Sequence, residues 1–178
     1  MSSKRPAILG ALVVTILVGL LVVWFRGAAT NEDPIWFVRS FNAKADWIAV
    51  YWDGMTCTLF PGDPEYDTMM GAFSEAVAHW SGYEGDVSMS VETLEQLRQD
   101  GRLLEFHYNE PVRVHTRHPF SRTGCFFVPL SGPHAEWRRI FAGSTDEPRV
   151  GVLNMDEPCC SALQQAAEQA MAKRQTLP

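Results

Sequence analysis

Two cysteines, Cys159 and Cys160, stand side by side in "NMDEPCCSALQQAAEQAMAKR", residues 154–174, where the pattern predicts that a helix begins. Adjacent thiols can donate to disulfides, hold a metal, or exchange electrons. With Cys57 and Cys125 they make four cysteines, and in an oxidising compartment an even count points to disulfides. A bond between the two neighbours would close a strained small ring. The spacing therefore predicts at least one structural disulfide from Cys159 or Cys160 to Cys57 or Cys125. The longer of these loops, roughly 100 residues, would contribute about 4–5 kcal/mol in the chain-entropy model, before any strain is subtracted. A redox reading rests on the positive end of the helix dipole, which lowers a thiol's pKa. Asp156 and Glu157 oppose it, and the chain has no Cys-x-x-Cys.

A second candidate is the run "VRVHTRHPFSR", which gathers Arg113, His115, Arg117, His118 and Arg122. If 112–117 is a strand, Arg113, His115 and Arg117 share a face. Such a ridge suits an anionic ligand or an acidic partner surface, with pH sensitivity from the histidines. The plain alternative is cross-strand pairing with Glu105. His115 and His118 would point to opposite faces, Arg117 would repel a cation, and zinc-type spacing is absent, so no metal site is expected. The carboxylates of "GDPEYD" fit a helix cap and first turn better than a calcium loop. No Gly-x-Ser-x-Gly, His-Glu-x-x-His, Walker or dinucleotide motif occurs, so neither a catalytic set nor a cofactor is assigned.

The compartment is read from the other end of the chain. Residues 7–25, "AILGALVVTILVGLLVVWF", carry no charge. As a helix they would be about 28 Å long, close to the thickness of a bilayer's hydrocarbon core. Lys4 and Arg5 precede them and Arg26 follows, so the positive-inside rule places the N-terminus in the cytoplasm. The run exceeds the usual signal-peptide core, which favours an uncleaved anchor. A cleaved signal, with small residues at 27–30, is the alternative. In residues 31–178, 12 basic residues stand against 21 acidic ones, a net charge of −9. Phosphate backbones would repel such a domain, so nucleic acid is not an expected partner.

The elements that must position these groups are legible in outline. "WIAVYWDGMTCTLF" predicts a hairpin turning at Asp53-Gly54, with Trp52 opposite Met55, Val50 opposite Cys57 and Ile48 opposite Leu59. Asp63 and Pro64 open a helix whose apolar face is Tyr66, Met69, Met70, Phe73, Val77 and Trp80, with Gly82 as its stop. Ser90 caps a shorter helix that Gly101 ends. "LLEFHYNEPVRVHT" reads as a second hairpin turning at Asn109-Glu110, with Glu105 and His107 on one face. "CFFVPL" is a strand whose Pro129 end belongs on a sheet edge. "GPHAEWRRIFAG" reads as a short helix, "RVGVLNM" as a last strand, and residues 36–41 as a weak early strand. The final helix buries Leu163, Ala166, Ala167, Ala170 and Met171.

The expected fold class is α+β: one transmembrane helix, then an antiparallel sheet of hairpins packed by helices on one face. The expected organisation is a cytoplasmic N-terminus (1–6), a membrane helix (7–25), a linker (26–34) and an extracytoplasmic domain (35–178). The leading functional reading is a non-enzymatic, single-pass protein of the cell membrane. Its domain would bind or stabilise a protein partner, as an accessory subunit of a membrane complex or as a ligand sensor. The alternative is an exported thiol oxidoreductase or metal-handling protein using Cys159 and Cys160.

Overall fold

A computed structural model describes residues 4–31, 33–35, 37–38, 40–115 and 122–175. Arg117 and His118 lie outside the described residues. The chain forms two compact units. One comprises residues 1–38 and 115–119, the other residues 39–114 and 120–178.

The first unit is built on helix α1 (Lys4–Asn31). Within it Ile8–Thr30, 23 residues, is long and apolar enough to cross a membrane, and none of it is buried. The helix runs past both ends of the uncharged stretch, so Arg26–Asn31 is helical where a linker was expected. Its C-terminal end is tied down locally. The Asp33 N–H donates to Ala28 O (3.0 Å), and the Trp24 indole donates to Pro34 O (3.0 Å).

The second unit is an antiparallel sheet of seven strands: β1 (Trp47–Trp52), β2 (Met55–Leu59), β3 (Gly82–Glu84), β4 (Arg102–Val112), β5 (Thr123–Pro129), β6 (Arg139–Ser144) and β7 (Glu147–Asn154). Their spatial order is β2-β1-β4-β5-β6-β7-β3. The expected α+β class holds. The first hairpin has the expected register, with Trp52 opposite Met55, Val50 opposite Cys57 and Ile48 opposite Leu59. Asp53 and Gly54 both take positive φ, as a two-residue type I′ turn requires.

Helices α2 (Pro64–Ala78) and α5 (Glu157–Gln175) pack on one face of the sheet. There Phe73 stacks on Phe106, and Leu163, Ala166, Ala167, Ala170 and Met171 are all buried. The opposite face has its own smaller core. Met89 and the α3 residues Leu94 and Leu97 (α3, Val91–Gln99) cover Leu103, Cys125, Phe127, Phe141 and Val152. Period-2 alternation therefore carries both faces of β4 and β5 inside.

Several expectations change in the folded chain. β4 is one eleven-residue strand running through Asn109-Glu110 to Val112. The reversal to β5 falls after Val112: pairing with β5 resumes at Val112–Thr123, beyond an irregularity that spans Asn109-Glu110, and the Asn109 N–H donates to Asp46 Oδ2 (2.7 Å). Arg113 therefore lies beyond the strand and His115 is an isolated bridge residue, while Thr116 and Arg117 of the strand expected over 112–117 lie outside the described residues. β5 is central, between β4 and β6. Pro129 is tolerated at its end because the pairing with β6 stops at Phe127, so its missing N–H breaks no bond there. The segment 132–143 divides into one helical turn, α4 (Pro133–Glu136), and strand β6. Helix α2 ends at Ala78, and Gly82 instead begins the edge strand β3. Of the weak early strand, Ser40 is an isolated bridge residue.

Two glycines set the far edge of the sheet. A Cβ on Gly143 would fall 2.2 Å from Glu147 O, at the irregularity between β6 and β7. Gly151 has φ +102°, and a Cβ there would meet the Tyr83 hydroxyl at 2.8 Å. Its bare backbone lets β3 close onto β7.

Candidate functional site

The four thiols are all free. Cys57 is buried against α2 and α5, but beside Arg174, whose guanidinium donates to the neighbouring Thr58 O (3.0 Å). Arg174 lies fourteen residues beyond Cys160 on α5, about 21 Å along the axis. Cys125 is on the other face of the sheet. The expected disulfide staple is therefore not made: Cys57 sits at the wrong end of the helix and Cys125 behind the sheet. Burial raises the Cys159 thiol above its ordinary pKa, with Asp156 and Glu75 adding to the effect. Burial also raises the Cys160 thiol, against the opposing charge of Arg138. Burial and the neighbouring acids thus oppose the pull of the helix dipole on these thiols.

Of the basic residues, Arg113, His115 and Arg122 are described. His115 Nδ1 stands 2.8 Å from Asp33 Oδ2, a carboxylate that is buried while the imidazole is half-buried. Arg113 is half-buried and Arg122 is exposed. Glu105 is not paired with the ridge. It points to the α3 side of the sheet and is taken by Arg98 of α3.

That pairing opens onto the densest cluster of chemical groups among the described residues. Glu105 and His107 alternate on one face of β4, and His107 lies directly across from Cys125 on β5. All three are buried: 1%, 4% and 0% exposed. Arg98 Nε donates to Glu105 Oε1 (2.7 Å). Its two other nitrogens donate to Glu95 Oε1 and to Thr145 O, each 2.7 Å. His107 Nε2 lies 2.9 Å from Glu105 Oε2 and 3.8 Å from Cys125 Sγ. On β1, Trp47 faces His107, and the two rings stack at 3.5 Å, within 8° of parallel.

No known family, curated protein or solved structure matches this chain.

The chemistry must therefore be read from geometry alone. Cysteine, histidine and glutamate together suggest a nucleophile–base–orienter relay, but the arrangement is wrong for one. In a relay the imidazole uses one nitrogen for the nucleophile and the other for the carboxylate. Here Nε2 faces both. Burial pushes the Cys125 thiol well above its usual range, and the nearby Glu105 charge pushes the same way. A buried neutral thiol is a poor nucleophile. Surface grooves lie elsewhere, one lined by Pro64, Glu65, Ala166 and Lys173 between α2 and α5, another by Leu97, Gly101, Ser131 and His134 beside α3. What the cluster offers is three donor atoms of metal-ligating type, all within 4.8 Å of one another.

The sequence carried part of this signal. The two-residue spacing of Glu105 and His107 places them on one face. Their burial depends on α3 crossing that face, and the third member depends on the β4–β5 register.

Proposed function

We propose that this protein is a single-pass membrane protein with an uncleaved N-terminal anchor, a cytoplasmic N-terminus and an extracytoplasmic α+β domain that binds or stabilises a protein partner without catalysing a reaction. The observation that carries this reading is the 23-residue apolar span Ile8–Thr30, none of it buried, joined to a folded domain of net charge −9. Leaving that much apolar helix in water would be costly, and a bilayer removes the cost. Lys4 and Arg5 against Arg26 set the orientation. The relay-incompetent geometry around His107 supports a binding role over an enzymatic one.

Protease added to intact cells should remove the domain, and N-terminal sequencing of the full-length protein should still find the first residues. A domain protected from protease overturns the orientation, and a chain starting near Thr30 overturns the anchor. For the partner surface we assign the basic residues around Arg113. The double substitution Arg113→Glu with Arg117→Glu should abolish co-purification of a partner from mild detergent without lowering Tm. Unchanged co-purification removes these residues from the interface.

A further inference from the structure

We propose that Glu105, His107 and Cys125 form a binding site for a divalent transition-metal ion of the zinc type, built between the sheet and α3. This reading is independent of where the domain resides and of whether it binds a partner. It starts from donor chemistry. A thiolate sulfur, an imidazole nitrogen and a carboxylate oxygen are the three ligand classes that zinc takes from proteins. Here one of each is aimed at a common point. The separations are 2.9 Å for Nε2 to Oε2, 3.8 Å for Nε2 to Sγ, and no more than 4.8 Å for the third side of the triangle. A single position then lies within about 2.4 Å of all three donors, so shifts of a few tenths of an ångström bring them to zinc–sulfur, zinc–nitrogen and zinc–oxygen bond lengths of about 2.0–2.3 Å.

The surroundings hold the donors in place. Arg98 binds Glu105 through Oε1 alone, leaving Oε2 directed at the site. Such a second-shell hydrogen bond fixes a carboxylate ligand. Trp47 fixes the plane of the imidazole. The rest of this face is Leu103, Phe127, Phe141 and Val152, where aliphatic side chains would pack at lower cost than a carboxylate, an imidazole and a thiol. Without the ion, Nε2 carries the proton donated to Oε2. On binding, that ring proton moves to Nδ1, the Cys125 thiol proton leaves to solvent, and Nε2, Oε2 and the thiolate bond to the metal. The ion's two positive charges meet one new negative charge, the thiolate. With Glu105 and Arg98 already offsetting each other, the site gains one positive charge overall. Three protein donors leave one tetrahedral position for water.

The test is a titration of the reduced, full-length protein in mild detergent with cobalt(II), which reports thiolate ligation by an intense near-ultraviolet charge-transfer absorption. The expected result is saturation at a single equivalent. The band should be lost in Cys125→Ser, weakened in His107→Gln, and unchanged when Cys159 and Cys160 are both serine. A folded protein that gives no such band overturns the proposal, as does a band that survives Cys125→Ser. Should that variant fail to fold, the wild-type chain still decides. Bound zinc must protect Cys125 from alkylation at a denaturant concentration where the metal-free protein exposes it, and equal modification with and without zinc overturns the site.

Discussion

His107 and Cys125 face each other across β4 and β5, and the imidazole nitrogen nearest the thiol, Nε2 at 3.8 Å, is the same one that meets Glu105 at 2.9 Å. That shared nitrogen distinguishes a convergent donor set from a proton relay. It arises because Glu105 and His107 lie two residues apart on one strand while Cys125 occupies the cross-strand position opposite His107.

Removing Arg98 should be far more damaging than a surface substitution. Glu105 is 1% exposed and its guanidinium partner 16%, so Arg98→Ala leaves a buried carboxylate without its counter-charge. Breaking such a pair costs about 3–5 kcal/mol. The double variant Arg98→Leu with Glu105→Leu should recover much of that loss. Chemical denaturation of the three proteins tests the statement, which fails if the double variant is no more stable than Arg98→Ala alone.

Thiol reactivity should follow burial and not a disulfide pattern. Cys57 and Cys125 are buried, and Cys159 and Cys160 are partly so. Alkylation of the native reduced protein should reach Cys159 and Cys160 first and leave Cys125 last, with all four modified after unfolding. Non-reducing peptide mapping that recovers Cys57 linked to Cys159 or Cys160 would contradict the placement of Cys57 beside Arg174.

The β3 edge should loosen in acid. The Asn154 amide, which donates to Glu84 Oε1 (2.6 Å), is the main cause of a lowered Glu84 pKa. Desolvation opposes it, and Arg139 at 2.8 Å adds to it. A carboxylate whose folded pKa lies below its unfolded value stabilises the fold above that unfolded value, about 4.3. The contribution is lost as pH falls from there through the folded pKa. Hydrogen exchange at the β3–β7 pairing should therefore accelerate over that window in the native protein. In Glu84→Gln it should be faster at neutral pH and show less of the pH dependence. Equal pH dependence in both would exclude Glu84 as the latch.

The sequence by itself determined the local elements. Asp53-Gly54 fixed a hairpin and its register, because both turn residues must take positive φ. Pro64 and Ser90 fixed where α2 and α3 begin, because a first-turn proline and an N-cap hydroxyl act within a few residues of themselves. The apolar stripe of α5 was readable from its spacing. The tertiary structure decided what depends on partners distant in the chain. Asn109-Glu110 looks like a turn, but it falls in an irregularity of the β4–β5 ladder, whose pairing resumes at Val112–Thr123, and β4 runs on past it. Glu105 and His107 alternate with Leu104 and Phe106 as if to face water, but Arg98 of α3 holds the first and Trp47 of β1 stacks on the second. The cysteines, four in number and suggestive of pairing, are separated by the length of α5 and the thickness of the sheet. Spacing along a chain sets which face a side chain takes. Whether that face is covered, and by what, is settled by contacts between residues far apart in sequence.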